Sequence, residues 1–250
     1  MKISVQDLVE KKSCEDHLNI YKYFNLDQVD WSGKEIIIND EDYYDSIIWL
    51  VENFKIPNIQ IKYEGPNGYW CEAKYNDAGL EVKFEDSEEN WYKIEYDEKG
   101  LEIRFEDSDK YWYKKEYNDA GLLIRYEDSH KYWWEKEYNE KGLEIKYEDS
   151  NKYWYKKEYN EKGLEIRFED SNNYWYTKEY NENELETEFE DSKKYWYKKE
   201  YNDAGFIIKY EDSNGNWYKK EYNKDNLEIK HEDSDGERKI KLTIKSVIHA

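Results

Sequence analysis

The chain has 250 residues, with 60 acidic against 39 basic side chains and a formal net charge of −21, so a nucleic-acid backbone or an anionic membrane would be repelled as a direct partner. It has no apolar run of the roughly 18 residues that a spanning helix needs, and two cysteines, Cys14 and Cys71, do not make a disulfide framework. The apolar fraction of 38% resembles that of a disordered chain, but 28 Tyr, 11 Trp and 7 Phe beside two Pro point to an ordered, β-rich protein.

Residues 1–57 do not repeat and read as a small helical module. Ser4 and Ser13 are N-caps, each followed three residues later by an acid, Asp7 and Asp16. Leu18, Tyr21 and Phe24 suit one helix; Ile47, Ile48, Val51 and Phe54 suit a second, which Pro57 stops. The opening MKISVQDLVEKK lacks an apolar signal core, which points to a cytoplasmic protein.

From residue 58 the chain repeats. Trp stands at 70, 91, 112, 133, 154, 175, 196 and 217, every step being 21 residues, the mark of a tandem-repeat architecture. In the copy YWYKKEYNDAGLLIRYEDSHK, Asn118–Gly121 is a turn between two strands. Ser129–Lys131 is a second turn, whose last residue is left-handed and becomes Gly215 and Gly236 in later copies. Each copy is therefore a β-hairpin. Residues 58–250 are eight hairpins and a C-terminal strand, Lys239–Ile248, which is basic and alternating. The fold class is mainly β: a long antiparallel hairpin meander behind the helical module. A sheet of this many strands twists and curls, into a spiral or an open barrel.

Alternation places Tyr111, Tyr113, Lys115 and Tyr117 with Leu122, Ile124 and Tyr126 on one buried face, and Trp112, Lys114 and Glu116 with Leu123, Arg125 and Glu127 on the other. This register sets Lys114 opposite Arg125, a like-charge pair that is unfavourable unless relieved by Glu neighbours or a Trp face. The sixth copy departs from the pattern: Glu184 replaces Gly, Thr187 replaces Ile, and Glu186 and Glu188 add charge.

Chemistry-bearing motifs are scarce. His17, His130, His231 and His249 stand in unrelated contexts, neither Cys has a metal-ligand spacing, and phosphate-binding Gly loops, nucleophile elbows and HExxH are missing. The expectation is a non-enzyme without cofactor or metal. The repeated Glu-Asp-Ser has two readings. One is turn chemistry with acids that keep strands from aggregating. The other is a row of charge offered to a basic groove of another protein, carried by Glu127, Asp128, Glu148, Asp149, Glu169, Asp170, Glu190, Asp191, Glu211 and Asp212, with Trp133, Trp154 and Trp175 as anchors.

EYNDAGLLIRYEDS resembles the tyrosine-aspartate repeats of Rhs-type shells, and NGNWYKKEYN at Asn214–Asn223 resembles aromatic cell-wall-binding repeats. ISVQDLVEKKSCEDHLNIYKYF with DEDYYDSIIWLVENF is similar to an N-terminal module of phage and mobile-element repeat proteins. That last resemblance implies an inhibitor of a host defence nuclease of the CRISPR kind, acting in the bacterial cytoplasm on a basic nucleic-acid-binding protein. A carbohydrate- or wall-binding module and a structural scaffold remain the alternatives.

Overall fold

The structure, a computed structural model, describes residues 34–39 and 41–236. The expected first helix and the C-terminal strand Lys239–Ile248 lie outside the described residues. The chain divides into two compact units, residues 1–133 and 134–250.

The first unit opens with β1 (Glu35–Ile38), α1 (Glu41–Phe54) and β2 (Gln60–Glu64). The expected helix over Ile47–Phe54 is present, and Lys55 leaves it with φ 49°, two residues before Pro57. Strand β1 was not anticipated; its signal is the β-branched run Ile36–Ile38. It pairs in parallel with β2, and α1 supplies the crossover that parallel strands require. Ile47, Leu50 and Val51 of α1 pack with Ile38, Ile56, Ile59, Ile61, Ala73 and Tyr75 in one buried cluster. The module thus docks on the first hairpin through the alternating inward side chains of β2 and β3 (Trp70–Tyr75).

The meander continues through β4 (Glu81–Asp86), β5 (Trp91–Tyr96), β6 (Glu102–Asp107), β7 (Trp112–Tyr117) and β8 (Leu123–Asp128). In the second unit it runs from Trp134, within β9 (Trp133–Tyr138), through β10 (Glu144–Asp149), β11 (Trp154–Tyr159), β12 (Glu165–Asp170) and β13 (Trp175–Tyr180). It goes on through β14 (Glu186–Asp191), β15 (Trp196–Tyr201), β16 (Ile207–Asp212), β17 (Trp217–Tyr222) and β18 (Glu228–Asp233). The protein is mainly β, and each unit is a meander of antiparallel hairpins, as expected.

Both turns of a copy share one geometry. At the first, Gly121 N–H donates to Asn118 C=O (2.9 Å), Asn118 N–H to Leu122 C=O (3.0 Å), and Leu122 N–H to Asn118 Oδ1 (3.0 Å). At the second, Lys110 N–H donates to Asp107 C=O (3.1 Å), Asp107 N–H to Tyr111 C=O (3.0 Å), and Tyr111 N–H to Asp107 Oδ1 (3.0 Å). The left-handed residue is Gly121 at φ 79° in one and Lys110 at φ 67° in the other, so the slot assigned from Gly215 holds.

The strand register differs from the expected one. Arg125 lies opposite Glu116 and Lys114 opposite Glu127, two residues from the predicted pairing, so the faces survive at that end of the hairpin. A bulge between Glu116 and Tyr117 then sets Tyr117 opposite Leu123. Beyond the bulge the faces exchange. The Leu123 position, which is Glu102, Glu144, Glu165 and Glu186 in other copies, joins the Tyr face. The Ile124 position passes to the charged side, where Ile103 and Ile145 line grooves with Lys and Arg. The Tyr face is half-buried, and stacked rings run across its strands: Tyr147, Tyr155, Phe168, Tyr176, Phe189 and Tyr197, with centroids 5.2–5.7 Å apart.

Candidate protein-binding face

The two carboxylates of each Glu-Asp pair part company. Asp takes the turn: the Oδ1 atoms of Asp128, Asp149, Asp170, Asp191 and Asp212 each accept two backbone N–H groups. Asp149, Asp191 and Asp212 are buried by this. At Asp212 the amide of Asn216 donates as well, and with the backbone donors it holds that carboxyl below the usual carboxylate range. Ser completes the turn: Ser171 N–H donates to Trp154 C=O (2.9 Å), and Trp154 N–H donates to Ser171 Oγ (3.3 Å).

Glu turns instead to the charged face, where residues directly opposite one another on successive strands form rows. One row reads Glu95, Arg104, Lys114, Glu127; another reads Glu137, Lys146, Lys156, Glu169; a third reads Glu200, Lys209, Lys219, Glu232. In each, two cations face each other and an acid flanks each of them. The like-charge contact foreseen inside a hairpin therefore falls between hairpins. It is offset by carboxylates: Arg104–Glu106 at 2.9 Å, Lys146–Glu137 at 2.9 Å, Lys209–Glu200 at 2.9 Å. In several copies a lysine two residues beyond the Trp lies over its ring: Lys93 over Trp91 (5.0 Å), Lys114 over Trp112 (5.3 Å) and Lys156 over Trp154 (5.4 Å).

The sixth copy breaks these rows. In the row Glu158, Arg167, Thr177, Glu190 one cation is replaced by Thr; in the row Glu179, Glu188, Lys198, Glu211 one is replaced by Glu. Counting side chains, the first row carries one surplus acid and the second two. Thr177 also leaves Trp175 without a lysine over its ring, and that indole is 37% exposed. A groove of about 310 Å³ opens here, lined by Thr177, Glu179, Glu188, Glu190, Trp196 and Lys198. Lys198 is bound by Glu188 at 2.9 Å and is held above its ordinary pKa by that hydrogen bond, with Glu179 and Glu211 adding to it.

Of the residues singled out from the sequence, Glu190 lines this groove, and Trp175 stands two residues before the lining residue Thr177 on the same strand. Glu169, opposite Trp175, is bound by Arg167 (3.1 Å), and Glu127 by Lys114 (3.3 Å) and Arg125 (3.4 Å). Glu148 is exposed between Glu135 and Trp154, Glu211 is half-buried beside Trp217, and Trp133 ends the first unit. Thr177, Glu179 and Glu188 were not singled out as site residues. Their signal was present all the same, in a missing lysine two places after Trp175 and a missing Arg at 188. Among the described residues no group of His, Cys, Asp or Glu is arranged to hold a metal, and no helix is long and apolar enough to cross a membrane.

No protein-family model matches the chain, and no curated protein is similar to it in sequence. Among solved structures it is similar to the complex of the Tc toxin components TcdB2 and TccC3, at 10% identity and a TM-score of 0.39 over 66% of this chain. The Photorhabdus luminescens Tc holotoxin pore matches at 11% identity and a TM-score of 0.40 over 66%. A porin-like protein from Bacteroides uniformis matches at 10% identity and a TM-score of 0.19, over 70% of this chain and 88% of that one. The chain spans only 12% of the length of the toxin chains. These likenesses are weak and concern the repeated β backbone alone.

Proposed function

We propose that this is a non-enzymatic acidic binding protein, which occupies a basic nucleic-acid-binding groove of a host protein in the manner of a phage-type inhibitor. The observation that carries this reading is the uncompensated acid of the sixth copy, set beside an uncovered indole. In the rows from Glu95 to Glu127, from Glu137 to Glu169 and from Glu200 to Glu232, acids and cations balance. Here Glu179, Glu188 and Glu190 outnumber Lys198 around a groove sized for a side chain. An arginine or lysine of the partner would enter between these carboxylates and lie on Trp175 or Trp196. The net charge of −21 would speed the encounter and make affinity fall with salt.

The test restores the consensus rows. Thr177→Lys with Glu188→Arg rebuilds the pattern of the neighbouring copies, so the fold is retained while the surplus acid is removed. The full chain is used to capture a partner from bacterial lysate, and binding is then measured with and without competing nucleic acid. The expected result is competition by nucleic acid and at least a tenfold affinity loss in the double variant. Equal affinity of the two proteins, or a partner that nucleic acid does not displace, would sink the proposal.

A further inference from the structure

In most copies the acid that follows the first turn receives a lysine. Glu186 takes Lys178 Nζ of its own hairpin (3.2 Å) and Lys199 Nζ of the next (3.3 Å). Glu144 takes Lys136 (2.8 Å), Glu165 takes Lys157 (3.5 Å) and Glu102 takes Lys115 (3.2 Å). A phenol of the next hairpin donates to each of them as well: Tyr197, Tyr155, Tyr176 and Tyr113 in turn.

In the first unit Glu81 holds the same place, directly opposite Tyr75, and Tyr92 donates to it (2.5 Å). Its two lysines are not there, because Ala73 and Ile94 occupy their positions. Tyr75 is 4% exposed, and its hydroxyl has no hydrogen-bond partner. Equivalent tyrosines donate to a backbone carbonyl of the preceding hairpin, Tyr117 to Glu102 (3.0 Å) and Tyr201 to Glu186 (2.7 Å); before Tyr75 stands β2, which offers no such acceptor. Tyr44 and Glu52 of α1 and Tyr96 of β5 also lie close enough to Glu81 for the charges to act on one another. None of these groups is a cation.

We propose that Glu81, Tyr75 and Glu52 form a receptor for a primary ammonium group from outside the chain, set where later copies place a lysine Nζ. An ammonium has three N–H donors, and the site has three acceptors for them: the Glu81 carboxylate, the Tyr75 hydroxyl oxygen and the Glu52 carboxylate. Hydrogen bonds of this kind are charge-assisted, and Glu81 is half-buried, so they are stronger here than at an open surface. Without the ammonium, burial first and the charge of Glu52 after it push the Glu81 carboxyl up, against the Tyr92 bond. With it, Glu81 comes to resemble Glu186, whose donors outweigh burial. A free amine and a lysine side chain of another protein both carry the required group.

The test follows the Glu81 carboxyl by carbon NMR in the full chain, with affinities from calorimetry. The probes are butylammonium, tetramethylammonium and a blocked tripeptide whose middle residue is lysine. Butylammonium should lower the Glu81 titration by about one pH unit or more, and tetramethylammonium, which has the charge but no N–H, should leave it in place. Ile94→Lys brings the lysine of later copies into the site, so it should lower the titration without added amine. Both Ile94→Lys and Glu81→Gln should weaken butylammonium binding about tenfold or more, the loss of one charge-assisted hydrogen bond. A response to the tripeptide as well as to butylammonium assigns the site to a lysine side chain, and a response to butylammonium alone assigns it to a free amine. A Glu81 titration unmoved by butylammonium, or moved equally by tetramethylammonium, overturns the proposal. So does butylammonium binding that survives Glu81→Gln.

Discussion

Glu186 shows how one side chain ties neighbouring hairpins together. Its carboxylate accepts from Tyr197 Oη, from Lys178 Nζ of its own hairpin (3.2 Å) and from Lys199 Nζ of the next (3.3 Å). Burial alone would raise its pKa, but these donors outweigh burial and hold it below the ordinary value; the same balance, with Lys136 and Tyr155, applies at Glu144. Glu81 is the contrast. Ala73 and Ile94 stand where later copies have lysine, Tyr92 alone among the described residues donates to it (2.5 Å), and burial pushes its carboxyl up. The phenols of Tyr113, Tyr155, Tyr176 and Tyr197 are pushed well above 10.0, by burial first and by the carboxylate acceptor second. A raised folded-state value means that the folded protein binds more protons than the unfolded chain. The resulting stability is fully present below pH 10.0, the ordinary phenol value, and is lost as pH rises from there through the raised values. Phenolate absorbance and circular dichroism should therefore change together, in one cooperative alkaline transition. Independent titration of these tyrosines near pH 10.0 with the sheet intact would contradict the Tyr–Glu ladder.

At the level of the element, the turns were legible because their chemistry is local. Asn or Asp opens each turn with its own side chain, and a left-handed residue closes it, so Asn118–Gly121 declares its geometry in four letters. The bulge was not legible. It depends on how two strands count against each other, and it reverses the faces of Leu123 and Ile124 without altering any local preference. Nor was it legible that one glycine does more than the others. Gly79 and Gly121 both have positive φ, at 68° and 79°. A Cβ at Gly121 would lie 3.7 Å from Leu101 Cδ1, an ordinary contact, but at Gly79 it would lie 2.2 Å from the carbonyl carbon of Lys55. The first repeat turn is therefore wedged under the end of α1. Gly121→Ala should cost about 1–2 kcal/mol through the left-handed conformation alone. Gly79→Ala should exceed it by at least about 1 kcal/mol, because backbone must move as well. Denaturant midpoints of the two variants decide this, and equal losses would mean that the α1 contact is not tight.

For the molecule as a whole, the 21-residue period is the unit of construction, because each hairpin meets its neighbours through the same residues. Stability of such an array is close to a sum of repeat and nearest-neighbour contributions. Excision of residues 155–175, one full period, rejoins Trp154 to Tyr176 in register and should leave a cooperatively folded β protein. Excision of 155–164 removes only β11 and its turn, joins Trp154 to Glu165, and should abolish cooperative unfolding in that region. If both deletions fold alike, the hairpin is not the repeating unit. The sequence by itself determined the period, the hairpins, the turn residues and the surplus of acid, since spacing and composition do not depend on what packs against what. Only the tertiary structure decided the strand register, the bulge, and the division of each Glu-Asp pair into a turn acceptor and a surface acid. The same holds for the sixth copy. Thr177 and Glu188 were visible as letters, but their surplus charge exists only relative to the cations that three-dimensional pairing sets opposite acids in rows such as Glu137, Lys146, Lys156, Glu169.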